Sequence, residues 1–266
     1  MGTSWSNSFF SVYGGNSTLG FQKIFVLNTA TRKDRRHNME ALGRFHKLHM
    51  EFAQTFNEVT ANALAASNQY LINGTHLACY LSHLQIYRRM VAENIETALV
   101  LEDDVDMEID IKERHAQIMK QVYRKYGGDW DMLYLGHCTT DANEPFTDDL
   151  DSLTMHAAYN ERKVQLYETK YPMCLHAYAV TLDCAQRLAV LLEERLKTVG
   201  KEIDLILAVG VQYGMSTVLG REGRATQRSY TIEGRGYSTK VIALYTVSPR
   251  IKENRSSDAG PIHGSK

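Results

Sequence analysis

The sequence predicts an α/β fold, with a mostly parallel central sheet flanked by helices. Three observations lead to it. Short unbroken apolar runs at Lys23–Asn28 (KIFVLN), Thr97–Glu102 (TALVLE) and Asp131–Leu135 (DMLYL) read as strands covered on both faces. Segments with apolar residues at helical spacing stand between these runs, and strand–helix alternation is the signature of a sheet layered with helices. The first two runs stop at Asn28 and at Glu102, Asp103 and Asp104, as strands do where an open sheet ends in a ligand crevice.

Taken in order, residues 1–20 are rich in Ser, Gly and Asn and are expected to form a flexible N-terminal segment. Residues 21–247 are expected to form a single domain and 248–266 a C-terminal tail. The first strand leads into a basic turn, Thr29–Arg36, and then into a helix marked by Met39, Leu42 and Phe45. Phe52–Phe56 reads as a short strand and Asn57–Asn73 as a polar, irregular stretch. Thr75–Asn94 is a well-signalled helix, with Leu77, Tyr80, Leu81, Leu84, Tyr87 and Val91 along one face and Asn73 or Thr75 at its cap. The acidic strand follows. Ile111, His115, Ile118, Val122 and Tyr126 mark another helix, stopped by Gly127-Gly128. Thr139–Lys170 reads as a long loop with short strands. His176–Leu182 is a strand, and Asp183 is placed to cap the helix Cys184–Val199, with Gly200 at its end. Glu202–Val211 carries Asp204 ahead of an apolar run.

Composition narrows the function. An apolar fraction of 44% supports a substantial core, and a net charge of −1 argues against a globally basic nucleic-acid binder, so no nucleic-acid partner is expected. No run approaches the roughly 18 apolar residues of a membrane-spanning helix, and the start lacks the pattern of a signal peptide. None of the four cysteines forms a CxxC pair, which argues against a zinc site of that type. Two disulfides in three possible pairings, or buried thiols, both fit the count; thiols are favoured, with Cys79 on an apolar helix face. Sequons at Asn16, Asn73 and Asn254 matter only in a secretory lumen, and localisation stays open. The absence of GxGxxG after the first strand and of GxxxxGK[ST] excludes the standard dinucleotide and P-loop sites, so the phosphates of a bound nucleotide would need metal and side chains.

The acidic run carries the chemistry. Three adjacent carboxylates repel one another unless a cation or hydrogen-bond donors compensate. Hard cations such as Mn²⁺ or Mg²⁺ take carboxylate oxygens together with substrate phosphates. The competing interpretation is an acidic turn after a strand.

Four segments in order, IFVLNTATRKDRR, LACYLSHLQIYRRMV, ALVLEDDV, and DWDMLYLGH with HAYAVTLDCAQRL and EIDLILA, resemble glycosyltransferase family 25 over Phe21 to Ala208. The chain departs from the family pattern at VLNTATRKD, at Ile203, and through Thr139–Lys170. The resemblance implies a GT-A-like nucleotide-sugar-binding fold, a UDP-sugar donor (most often UDP-galactose), a divalent Mn²⁺ or Mg²⁺, and inversion at the anomeric carbon. It implies a glycan, glycolipid or protein acceptor. It assigns Glu102 and Asp104 to the metal, Glu102 and Asp103 to binding the donor, and Asn28, Arg32 and Arg35 to the uridine and diphosphate, where an Arg fork suits phosphate oxygens. His83 is either a core histidine or part of the donor site. Asp204 is the candidate general base, with Asp131 as the runner-up, or else a helix cap. The arginines at 221, 224, 228 and 235 read as a solvated face. Two other functions remain open: a metal-dependent phosphohydrolase using the same acidic strand end, and a non-catalytic nucleotide-sugar or glycan-binding relative.

Overall fold

In the computed structural model, the described residues are 15–136, 153–155, 162–168, 174–213 and 241–246. Eight strands form one sheet: β1 (Lys23–Leu27), β2 (Glu51–Ala53), β3 (Thr97–Glu102), β4 (Met132–Gly136), β5 (Leu153–Met155), β6 (Arg162–Glu168), β7 (Ala177–Thr181) and β8 (Val241–Thr246). Their order across the sheet is β2-β1-β3-β7-β4-β8-β6-β5. The helices are α1 (Lys33–His46), α2 (Glu58–Asn68), α3 (Gly74–Glu93), α4 (Ile111–Tyr126), α5 (Leu182–Thr198) and α6 (Ile203–Tyr213).

Strand alternation divides the core into two layers. Phe25, Leu27, Ala98, Val100, Met132, Tyr134, Tyr178 and Val180 face one side and pack with α3 and α5. Ile24, Val26, Leu99, Leu101, Leu133 and Ala179 face the other, against Met39 of α1 and Ile118, Met119 and Val122 of α4. With both faces covered, the central strands have no polar side to show, which is why they read as unbroken apolar runs.

The α/β architecture is as expected, but the sheet is mixed rather than mostly parallel. β1 pairs in parallel with β2 and β3, and β4 with β8. β7 runs antiparallel between β3 and β4, and β6 is antiparallel to both β5 and β8. Strands buried on both faces look alike in sequence whichever way their neighbours run, so composition could not reveal this.

Several local expectations change. Asn57–Asn73 is not irregular: it contains α2, where the Asn57 side chain accepts from the Thr60 amide as an N-cap. The Ala-rich run 61–66 has strong helix propensity but buries only Ala61, so no apolar face advertised it. β2 starts earlier than predicted and is shorter. The cap of α5 is Thr181, whose side chain accepts from the Cys184 amide, whereas Asp183 sits in the first turn and pairs with Arg187. Phe45 and Val91, placed on inner faces by spacing, are 66% and 41% exposed. Leu19 is buried in the core and the Ser17 carbonyl accepts from the His49 amide, so the end of the predicted flexible segment is packed. Cys79 is exposed rather than apolar-facing, and Cys174 is disulfide-bonded rather than a thiol, while Cys79 and Cys184 are free. No helix among the described residues is long and apolar enough to cross a membrane.

Helix α4 carries a buried histidine with a predictable pH effect. His115 is fully buried, its ring 5.1 Å from that of Phe21. Burial pushes its pKa down to about 4, with the Leu19 backbone opposing the shift. The unfolded chain therefore binds a proton below about pH 6.5 that the folded chain refuses until about pH 4. Its neutral form supports the fold fully above pH 6.5, and on the order of 3 kcal/mol is lost as pH falls through that window. Denaturant titrations at pH 7 and pH 4.5 will show this loss, and His115→Phe will flatten it.

Candidate active site

The site grows from one register. β1 and β3 run side by side in parallel with Leu27 opposite Glu102, so the residues just past each strand end meet. Asn28 Nδ2 donates to Asp103 Oδ2 at 2.7 Å and to the Arg32 carbonyl at 3.1 Å. Thr55 donates its hydroxyl to the Asn28 carbonyl. Arg35, carried in by the first turn of α1, reaches both Asp103 (2.8 Å) and Asp104 (2.9 Å). Hydrogen-bond donors and one guanidinium thus offset much of the repulsion within the acidic run.

The three acidic residues do different things. Asp103 is 9% exposed and is held by Asn28 and Arg35, which makes it the structural carboxylate of the loop. Asp104 is half-exposed and touches Arg35 alone among the ion pairs of the described residues. Glu102 closes β3. Its amide donates to the His176 carbonyl, and its carboxylate lies 3.6 Å from His83 Nε2. His83 holds the Glu102 pKa below the usual carboxylate range, against the effect of burial.

His83 is buried in α3, its Nδ1 2.9 Å from the Tyr178 hydroxyl, which is itself 2.8 Å from that of Tyr87. Burial pushes the imidazole toward its neutral form. The facing Cys79 and Glu102 side chains more than reverse this and lift its pKa to about 9. The structure therefore joins the two options for His83: it is a core histidine, and one ring nitrogen faces the acidic strand end. Ser82 beside it accepts from the Phe56 amide and donates to the Ala78 carbonyl, pinning the β2–α2 connection onto α3.

Two cavities meet at Cys79 and Glu102. One, about 390 Å³, is lined by Arg32, Arg35, Thr55, Phe56, His83 and Asp103 among others. The second, about 480 Å³, is lined by Glu102, Asp104, His76, His176, Glu202 and Asp204 among others. Both volumes fall in the range of small-molecule sites. Asp204 lies in the first turn of α6, and its carboxylate accepts from the Leu205 amide at 2.9 Å. It therefore combines helix-end bonding with a position in the cavity. A third cavity, about 620 Å³, lies by Trp130, Asp131 and Arg187 at the other ends of the central strands, away from the ends that carry the acidic run.

Of the predicted site residues, Arg32, Arg35, His83, Glu102, Asp103, Asp104 and Asp204 line these two joined cavities. Asn28 is 7% exposed and uses its amide to position Asp103. The arginines at 221, 224, 228 and 235 lie outside the described residues. Sequence reading missed Cys79, His76 and His176 as cavity residues. For Cys79 a signal existed: it stands four residues before His83, one helical turn away on the same face.

An α/β fold with a mixed open sheet flanked by helices is consistent with a GT-A-like fold. The profile of glycosyltransferase family 25 (LPS biosynthesis protein) matches residues 21–206, and the chain belongs to that family. Procollagen galactosyltransferase 2 of Mus musculus is 27% identical over 184 residues, covering 64% of this chain and 28% of the relative. Procollagen galactosyltransferase 1 of Danio rerio is 26% identical over 188 residues, with 64% and 28% covered. The human protein named inactive glycosyltransferase 25 family member 3 is 29% identical over 135 residues, with 45% and 22% covered. The chain thus spans less than a third of the length of these relatives.

Proposed function

We infer that the chain is a metal-dependent inverting glycosyltransferase that moves a hexose, galactose first among candidates, from a UDP-sugar to a glycan, glycolipid or hydroxylated protein acceptor. The observation that carries this reading is that Glu102, Asp104 and Asp204 line one cavity, and that Glu102 also lines a second cavity with Arg32 and Arg35.

Oxygen donors from Glu102 and Asp104 suit a hard Mn²⁺ or Mg²⁺ that keeps positions for phosphate oxygens. Bound there, the ion would act as a Lewis acid toward the departing diphosphate. Arg32 and Arg35 offer their guanidinium groups to the diphosphate oxygens, and moving Arg35 onto substrate would free Asp104 for the ion. Asp103 and Asn28 hold the loop while this exchange happens. Asp204 accepts the acceptor hydroxyl's proton as the new glycosidic bond forms on the face opposite the leaving group. Phe56 gives the first cavity an apolar surface suited to a base or sugar ring.

The test is turnover of UDP-galactose, UDP-glucose and UDP-N-acetylglucosamine with Mn²⁺ over a panel of acceptors, repeated in EDTA. Transfer that depends on Mn²⁺ is the expected result, and full activity in EDTA would refute the role of the ion. A second reading, binding without catalysis, draws on the inactive relative. UDP binding with no transfer to any acceptor would favour it.

A further inference from the structure

Where α3 passes the end of β3, Cys79, His83 and Glu102 each present one ligand atom, and these atoms all lie within 4.8 Å of one another. Cys79 and His83 are one helical turn apart on α3, so a rigid element sets their spacing. His83 Nε2 is buried and has no hydrogen-bond partner. Its distance of 3.6 Å from the Glu102 carboxylate is long for a hydrogen bond. That separation is close to the roughly 3.4 Å expected between two ligand atoms of a tetrahedral ion with bonds of about 2.1 Å.

The other ring nitrogen is already arranged as a metal-bound histidine requires. Nδ1 faces the Tyr178 hydroxyl at 2.9 Å, so an Nδ1–H donated there leaves Nε2 as the ligand atom toward Cys79 and Glu102, where an incoming ion would displace the Nε2 proton. Tyr87 holds the Tyr178 hydroxyl in turn.

We propose that Cys79 Sγ, His83 Nε2 and Glu102 form a three-ligand site for a borderline-soft divalent ion, Zn²⁺ in the first instance, which shares Glu102 with the oxygen-donor pair Glu102 and Asp104 but differs from it in its thiolate and imidazole. A thiolate and an imidazole select Zn²⁺ over Mg²⁺ or Mn²⁺, and three protein ligands leave a fourth position open. Cys79 and Glu102 line both cavities, so a water or an anionic oxygen can reach a bound ion from there to complete its shell. Cys79 is exposed, so its side chain can turn to close the remaining gap without disturbing the core. The site stands whether or not the chain transfers a sugar.

Co²⁺ is the probe. The full chain, freed of metal and kept without reductant so that the Cys174 disulfide stays closed, is titrated with Co²⁺ and read by absorption. The proposal expects one equivalent to bind with a near-ultraviolet thiolate-to-cobalt band and visible bands of tetrahedral intensity, and Zn²⁺ to displace it. Cys79→Ala, at an exposed position, is expected to fold as the parent does by circular dichroism and to lose the thiolate band. Asp104→Ala is expected to keep it, because Asp104 is outside the cluster. Absence of the band in the parent chain, its persistence in Cys79→Ala, or its loss in a folded Asp104→Ala would each overturn the assignment.

Discussion

Asp104→Ala is expected to lower kcat/KM for sugar transfer by about a thousandfold, while the protein stays folded. The size follows from the role: a Lewis acid on the departing diphosphate supplies several kcal/mol, and about 4 kcal/mol corresponds to a factor of about 10³. That the fold survives follows from the surroundings. Asp104 is half-exposed, and its ion pair is with Arg35, which keeps Asp103 as a second partner. An exposed ion pair contributes little to stability, so the melting temperature should hardly move. The discriminating measurement is the Mn²⁺ dependence of the rate. Loss of an oxygen ligand should raise the Mn²⁺ concentration needed for half-maximal activity, with partial recovery at high Mn²⁺. Unchanged activity and unchanged Mn²⁺ dependence would remove Asp104 from the mechanism.

Asp204→Asn is expected to cost about 10²- to 10⁴-fold in kcat, the ordinary worth of a positioned general base. The amide keeps the shape and can still accept from the Leu205 amide at the start of α6, so the helix should form as before. UDP-sugar affinity should stay close to that of the parent, because the lost group acts on the acceptor's proton. A variant with normal kcat would return Asp204 to the role of a helix-end residue. If instead UDP-sugar binding fell along with the rate, the carboxylate would belong to the donor site.

These two carboxylates differ in how readable they were. Asp104 belongs to a strong local signal, an apolar run that breaks into acids, and its neighbours in the chain place it at a strand end. Asp204 stood ahead of an apolar run with nothing local to tell a base from a cap; in the fold it lines the same cavity as Glu102 and Asp104. The loop chemistry was partly legible in the same way. Arg35 was a candidate for phosphate because it follows the first strand, but its contact with Asp103 spans 68 residues of sequence, and no periodicity reports such a pairing. Asn28 was assigned to the ligand from its position, and it is the parallel register of β1 and β3 that turns it toward Asp103.

Local sequence determined what local physics controls: which runs form buried strands, where the amphipathic helices lie, and that a carboxylate cluster ends the third strand. Tertiary structure alone decided the rest. It reversed the direction of β7 between β3 and β4, separated a structural Asp103 from a half-exposed Asp104, and brought Cys79, His83 and Glu102 together. The physical reason is that burial and periodicity act within a few turns of chain, whereas strand direction, charge partners and ligand spacing depend on groups that become neighbours only after the sheet has formed.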